Sequence, residues 1–344
     1  MERWGIERFG TAYVGGGTPS LLPSDMLGEF LLALRNRIGR PREFTVEANP
    51  ESLDKSFLEA LGYGGVDRLS LGVQTYDEGL LSWLGRPAGS SAVREADSLI
   101  AEEWKGRLSR DLLAGLPRQQ DGLLTDIVAA LEGDPGHLSL YELTVEPETP
   151  LSKDRRALAE LPDENDTCGE WENALNFLGK QGYERYEISN FCRPGQESVH
   201  NMGYWRLDPY LGMGPGAVST LPGPEGPFRR QEPRNLVGWL ADTGSSAVEE
   251  VLTASEFALE HFMMALRTLE GLSVDRFRRI FGHNPISAVE RSLEKWRNNG
   301  ILEVTDKQIR PTAAGMDLID AVLVDIASEI DGRCFTERPQ WPPS

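Results

Sequence analysis

The stretch Thr11-Ala12-Tyr13-Val14-Gly15-Gly16-Gly17-Thr18-Pro19-Ser20 decides how the chain is read. Residues 12–14 form a short apolar run of strand-forming type, halted at once by breakers, which is the pattern of a buried strand. The three glycines that follow carry no Cβ, so their amides can approach a ligand closely or take positive φ. By themselves they serve as well for a structural turn as for a ligand loop. Pro23-Ser24-Asp25 then opens a helix with Leu27, Phe30, Leu31, Leu34 and Ile38 on one stripe. No Gly-Lys-Ser/Thr follows at the required spacing, which excludes a P-loop.

The alternation continues outward from this unit. Residues 43–49 read as a second strand, 54–61 as a helix capped by Asp54 and closed by Gly62, and 68–74 as a third strand. Residues 76–84 and 92–104 read as helices, the latter with Val93, Ala96 and Ile100 inward. A fourth strand spans 108–113, a helix 121–131 and a fifth strand 137–145. Strands alternating with helices at this spacing predict βαβ units around a parallel sheet, an α/β fold. Polar residues gather at the C-terminal strand ends: Gly17 and Thr18, Glu47 and Asn49, Gln74, Asp111 and Thr144. In parallel α/β folds that edge is where ligands bind.

From about Pro150 the texture changes. A helix is predicted over 167–181 and a strand over 183–190. Residues 191–227 are rich in Gly, Pro and aromatics without a period, a length of loop that points to function. Thr253-Ala-Ser-Glu256 has capping-box spacing, and its helix carries Ala258, Phe262, Ala265 and Leu269 on one face. Helices over 273–281 and 286–298, a hairpin of 301–305 with 308–310, and a helix capped by Thr312 complete a winged-helix-like unit. The reading divides the chain into 1–150, 151–252, 253–330 and a Pro-bearing tail, 331–344, expected to be disordered.

Composition bounds the function. The 344 residues suffice for one large domain and a smaller one, and 40% hydrophobic with 26% charged residues is ordinary for a folded protein. A formal charge of −19 disfavours a nucleic-acid partner; the basic stretch Arg276, Arg278 and Arg279 reads as a solvated helix face. Nothing approaches ~18 continuous apolar residues, so no transmembrane segment is expected. Met1-Glu-Arg-Trp4 is no signal peptide, and a cytoplasmic location follows as the expectation. Cys168, Cys192 and Cys334 lie far apart without a CxxC, as thiols in a reducing compartment do.

Several motifs fall in one order: Gly15-Gly-Gly-Thr-Pro-Ser20, Glu47-Ala-Asn-Pro50, Arg68-Leu-Ser-Leu-Gly-Val-Gln74, Leu84-Gly-Arg86 and Asp111-Leu-Leu-Ala-Gly-Leu-Pro117. Tyr183-Glu-Arg-Tyr-Glu-Ile-Ser-Asn190, His200-Asn-Met-Gly-Tyr-Trp205 and Tyr210-Leu-Gly-Met-Gly-Pro-Gly216 continue it. From about residue 11 to 326 the chain resembles the radical SAM family of oxygen-independent coproporphyrinogen III oxidase-like proteins. The resemblance implies a partial (βα)6 radical SAM barrel, here with its first strand missing, followed by a C-terminal accessory domain. It implies S-adenosylmethionine (SAM) held across the strand ends: Gly16, Gly17 and Thr18 at the methionine amino group, with Glu47 near that ammonium and the ribose. Gln74 and Asp111 match ribose-contacting residues, Arg86 matches the arginine that pairs with the ligand carboxylate, and Thr144 matches a backbone contact.

In the heme-binding members of that family, which act as heme chaperones, His-Asn-x-x-Tyr-Trp is associated with heme; true coproporphyrinogen oxidases lack it. Here it places His200 as a heme-iron ligand, with Asn201, Tyr204 and Trp205 about the porphyrin. The other reading of His200 is a hydrogen-bonded structural histidine in an aromatic loop. Cys192 is a second, weaker candidate for iron. The family's CxxxCxxC, which binds a [4Fe-4S] cluster, is absent: 14 residues precede Gly15 and none is cysteine. Either the start is called too late or the short form is real, and the chain as written is not expected to perform radical chemistry. The function expected is a heme chaperone passing heme to acceptor proteins, such as membrane-associated heme enzymes. The alternative is a radical SAM coproporphyrinogen III dehydrogenase of porphyrin biosynthesis, which needs a restored cluster motif.

Overall fold

The computed structural model describes residues 8–87, 89–117, 122–147, 149–241, 246–330 and 335–343. Residues 1–4, the helix start at Asp121 and Cys334 lie outside the described residues. The chain divides into two compact units, residues 1–200 and 201–344, where the sequence suggested boundaries at 150 and 252.

The first unit runs β1 (Thr11–Val14), α1 (Ser24–Ile38), β2 (Glu43–Ala48), α2 (Lys55–Gly64), β3 (Arg68–Gln74), α3 (Glu78–Trp83), α4 (Ser90–Glu103), β4 (Arg107–Ala114), α5 (Gly122–Ala130) and β5 (His137–Glu142). The strands β1 to β5 lie side by side in chain order and all run parallel. After α6 (Pro150–Lys153), α7 (Arg155–Ala159) and α8 (Glu164–Lys180) come β6 (Glu184–Arg185), β7 (Asn190–Cys192) and the start of α9 (Val199–Trp205). Strand β7 adds antiparallel to β5, and β6 to β7. The mixed α/β architecture with a parallel sheet is the one the alternation predicted, with five parallel strands among the described residues.

Local chemistry sets the element ends. The side chains of Asp54, Asp77 and Asp163 each accept a backbone N–H in the first turn of α2, α3 and α8. Helix α2 runs past Gly62, where it was expected to close, and ends at Gly65 with φ 75°. It can do so because Gly64 faces α1: a Cβ there would sit 2.4 Å from that of Leu31. The strand predicted over 183–190 is instead a hairpin. Glu187 turns the chain by accepting from the Ser189 amide at 3.2 Å and from the Asn190 side chain.

The sheet has two chemically different faces. Phe44, Val46, Leu69, Leu71, Leu112, Leu138 and Leu140 pack under the helices, against Leu27, Leu31, Phe57, Leu61 and Ile127. Burying each such side chain stabilises by about 1.5–3 kcal/mol. Phe30, read as part of the inward stripe, is 48% exposed at its edge. The alternate residues on β2 to β5 are polar and form the opposite face.

The second unit contains an antiparallel sheet of β8 (Val218–Pro222), β9 (Pro227–Gln231) and, after α10 (Leu236–Ala241), β10 (Val248–Val251). The region 191–227 therefore holds β7, α9 and β8; elements this short show no period in sequence. Beyond lie α11 (Ala254–Ala265), with the capping box formed at Thr253 and Glu256, β11 (Leu272–Ser273), α12 (Val274–Phe281), α13 (Pro285–Ala288), α14 (Glu290–Asn298), the hairpin β12 (Leu302–Val304) and β13 (Gln308–Pro311), and α15 (Ile319–Glu329). The helix predicted over 286–298 breaks at Val289, whose φ of −137° and ψ of 44° are not helical. The basic stretch is partly neutralised within the unit: Arg276 donates to Asp208 at 2.9 Å, and Arg278 lies 3.9 Å from Asp275.

The tail corrects another expectation. Residues 335–343 are packed, with Phe335 and Trp341 buried. The Trp341 indole donates to the Leu207 carbonyl at 2.8 Å and stacks edge-on against Phe257, while Phe335 meets Phe277 and Phe281. Two aromatic anchors outweigh what the prolines suggested. Among the described residues no helix is long and apolar enough to cross a membrane. Trp341→Ala is expected to destabilise the protein by about 3–5 kcal/mol, read as a lower urea midpoint; an unchanged midpoint would show that the packed tail contributes nothing.

Candidate functional site

The glycine loop and the strand ends enclose a cavity of about 190 Å³, lined by Gly17, Thr18, Pro19, Glu47, Ala48, Asn49, Ser70, Gly72, Gln74 and Asp111. Gly16 and Gly17 take φ of 78° and 81°, and a Cβ at either would meet nothing within 4 Å. The loop thus presents bare backbone to the hollow, at φ values that favour glycine. Its position is held by Glu47, whose carboxylate accepts from the Gly16 amide at 3.1 Å and from the Tyr13 hydroxyl at 2.5 Å. Gly15 must be glycine for the same reason: a Cβ would lie 2.6 Å from that carboxylate.

Gln74 reaches the cavity through an irregularity. The β3–β4 register shifts between Leu71 and Gln74, and Gln74 takes φ 71°, a conformation rare outside glycine. Such strain persists only where surrounding structure enforces it, and it gathers at functional sites. Asp111 forms the inner wall and accepts from the Ser70 hydroxyl at 3.1 Å; burial raises its pKa above the usual carboxylate range. Asn49 donates to the Thr18 hydroxyl at 3.3 Å, linking two strand ends.

The structure therefore brings Gly17, Thr18, Glu47, Gln74 and Asp111 to one hollow, with Gly16 bound to its wall. Arg86 lines a smaller adjoining pocket that shares Gly72, and lies 3.7 Å from Glu51. Thr144 follows the end of β5, is exposed, and is not among the lining residues of either pocket. Sequence reasoning missed Ser70, Gly72 and Tyr13. The signal was available: every second residue of β2, β3 and β4, counted back from Glu47, Gln74 and Asp111, is polar or glycine in strands that otherwise read as buried.

His200 closes the first unit. Its Nδ1 lies 2.8 Å from the Thr11 hydroxyl, and its ring stacks on Tyr13 at 5.0 Å and 18°. Tyr13 thus touches both the histidine and Glu47. Burial lowers the His200 pKa; Glu43 opposes the shift and Arg68 adds to it, so the ring is neutral at pH 7. Glu43, fully buried, accepts from the Val199 and His200 amides, both at 2.9 Å, and from the Ser198 hydroxyl at 3.1 Å. Arg107 pairs with the same carboxylate at 3.1 Å. A second chain of groups runs inside the sheet. His137, kept neutral by burial, joins Ser109 and Tyr186, each at 2.8 Å. Ser109 in turn donates towards Asp111, and the Tyr186 hydroxyl accepts from the Ser198 amide.

The remaining motif residues open the second unit. Tyr204 packs edge-on against Tyr210 at 4.7 Å, and Asn201 and Trp205 are half-buried on the same helix, α9. Cys192 is buried on β7 and burial pushes its thiol up to about 12, so it stays protonated rather than serving as a thiolate ligand.

Comparisons with known proteins show the family and the fold. A family model for the radical SAM superfamily matches residues 2–129, and one for the HemN C-terminal domain matches residues 252–318. The heme chaperone HemW of Lactococcus lactis is 32% identical over 322 residues, covering 92% of this chain and 84% of that protein. The chain belongs to the HemW family. A second relative, the mitochondrial radical S-adenosyl methionine domain-containing protein 1 of Bos taurus, is 31% identical over 98% of this chain and 80% of its own length. Among solved structures, coproporphyrinogen III oxidase (HemN) from Escherichia coli superposes with a TM-score of 0.77 at 20% identity. That match covers 93% of this chain and 78% of the other, and it shows that the HemW-family chain shares the HemN fold.

Glu43→Ala would strand three donors at the 198–200 turn and leave Arg107 with Asp67 alone. It is expected to cost about 3–5 kcal/mol in chemical denaturation; a loss below about 1 kcal/mol would mean the carboxylate does not hold this turn.

Proposed function

We propose that the protein is a heme chaperone of the HemW family, binding heme through His200 and passing it to acceptor proteins. One observation carries this reading: the family's heme-motif histidine is bonded to Thr11 and stacked on Tyr13, the tyrosine whose hydroxyl holds the cavity-lining Glu47. A histidine whose second nitrogen is held by a hydrogen bond is the usual form of a metal-ligating imidazole. Asn201, Tyr204 and Trp205 are the further residues assigned to the porphyrin.

SAM fits the cavity by the chemistry of its lining. Glu47 offers a carboxylate to an ammonium, the Gly16–Thr18 loop offers bare backbone, and Gln74 and Asp111 offer polar atoms to a ribose. Arg86 is placed for the ligand carboxylate only if its approach to Glu51 is given up. Bound there, SAM supplies a sulfonium. Its [4Fe-4S] companion has no matching ligand set in this chain. Among the described residues no group of three His, Cys, Asp or Glu side chains can hold a metal ion, and Cys168 and Cys192 lie on α8 and β7. No step is therefore routed through a cluster.

Titration with hemin, followed at the Soret band, tests the reading. Wild-type protein is expected to bind and then to transfer heme to apomyoglobin, used as a model acceptor, while His200→Ala binds at least tenfold more weakly. Equal affinity for the two proteins would remove His200 from the function. The pH dependence has a definite sign. Burial lowers the folded-state pKa of His200, so the imidazole stays neutral down to a pH below its ordinary value of about 6.5. Heme affinity should hold from pH 8 to 6.5 and fall only at lower pH; a fall centred above 6.5 would contradict it.

A further inference from the structure

Arg68 opens β3 on the same face as Ser70 and Gly72, two residues that line the cavity. It is 3% exposed. Other buried or half-buried arginines of this unit are compensated: Arg110 by Asp97 and two carbonyls, Arg107 by Glu43 and Asp67. Among the described residues none makes a hydrogen bond or ion pair with the Arg68 guanidinium. Directly across the β2–β3 pairing stands Thr45, fully buried, whose hydroxyl also has no partner. The cation acts on Tyr13, Asp111, His137 and His200 alike, which places it among the polar residues beneath the cavity floor.

A buried guanidinium without a hydrogen-bonded counter-charge is costly. A cation and an unbonded hydroxyl side by side under a ligand cavity have a simple chemical complement. A carboxylate would take a bidentate pair of N–H bonds from the planar fork and accept the Thr45 hydroxyl proton in a further hydrogen bond. Among the described residues no carboxylate hydrogen-bonds to this guanidinium: Glu43 is committed to Arg107 and the 198–200 turn, Glu47 to Gly16 and Tyr13, and Asp111, which feels the Arg68 charge, to the Ser70 hydroxyl.

We propose that Arg68, with Thr45 beside it and Ser70 above it, is an anchor for a carboxylate of the bound ligand. The ligand's identity rests on the heme reading, under which the group is a porphyrin propionate. The amino-acid carboxylate of SAM has the same chemistry, and the experiment separates the two.

The full chain, as wild type, Arg68→Lys and Arg68→Met, is titrated with hemin and with hemin dimethyl ester, and in parallel with SAM and decarboxylated SAM. Wild type is expected to prefer hemin over its diester by about tenfold or more, the scale of one charge-assisted hydrogen bond. Arg68→Met should abolish that preference and Arg68→Lys keep part of it. A preference lost for SAM instead would assign the anchor to the amino-acid carboxylate. Full discrimination by Arg68→Met on both ligand pairs would overturn the proposal. If wild type binds neither hemin nor the diester, the heme reading fails and the SAM pair alone decides the anchor. Thermal melting without ligand guards against a purely structural role. Because Arg68 has no hydrogen-bond or ion-pair partner among the described residues, Arg68→Met should melt at or above the wild-type temperature, and a drop of several degrees would overturn the proposal.

Discussion

A single buried carboxylate ties this unit together. Glu43 sits at the start of β2, wholly out of solvent, and accepts from three donors of the 198–200 turn while pairing with Arg107 on β4. More than 150 residues of chain separate the two ends of that contact. Without it, the turn that delivers His200 to Tyr13 would keep only the Thr11–His200 and Tyr186–Ser198 hydrogen bonds as polar attachments. A buried ion in this setting persists because every lone pair is used, which makes its surroundings unforgiving.

From that attachment follows the unusual chemistry of the sheet's inner face. An ordinary doubly covered parallel sheet is apolar on both sides. Here β2, β3, β4 and β5 bury hydrocarbon only towards the helices. On the other side Thr45, Arg68, Ser109, His137 and Ser139 are buried polar groups. The polar face costs stability, and the apolar face, with Phe44, Leu69, Leu71 and Leu138 all at 0% exposure, offsets it. The cavity lies where this polar face meets the strand ends, so ligand-facing groups are fixed by strand geometry rather than by loops alone. Tyr13 joins the two chemical centres, one edge of its environment being Glu47 and the other the ring of His200.

Much of this was legible in the sequence. The alternation of strands and helices, the glycine loop and the meeting of Gly17, Thr18, Glu47, Gln74 and Asp111 at one edge of the sheet follow from local rules: period, breakers and the polarity of strand ends. What went wrong depended on contacts between distant residues. Gly62 looked like a helix stop, but Leu31 rewards continuing to Gly64. Residues 183–190 looked like one strand, but the Glu187 side chain folds them into a hairpin. The Pro-bearing tail looked solvated, but Phe335 and Trp341 find aromatic neighbours.

By itself, the sequence determined the fold class, the polar edge of the sheet and the family, because periodicity and motif order are properties of neighbouring residues along the chain. Tertiary structure alone decided that His200 leans on Tyr13, that Glu43 caps the turn bearing it, and that Arg68 and Thr45 stand together without hydrogen-bond partners among the described residues. Those facts arise where strands and turns far apart in sequence share one interior, and a buried charge has no meaning until its neighbours in space are known.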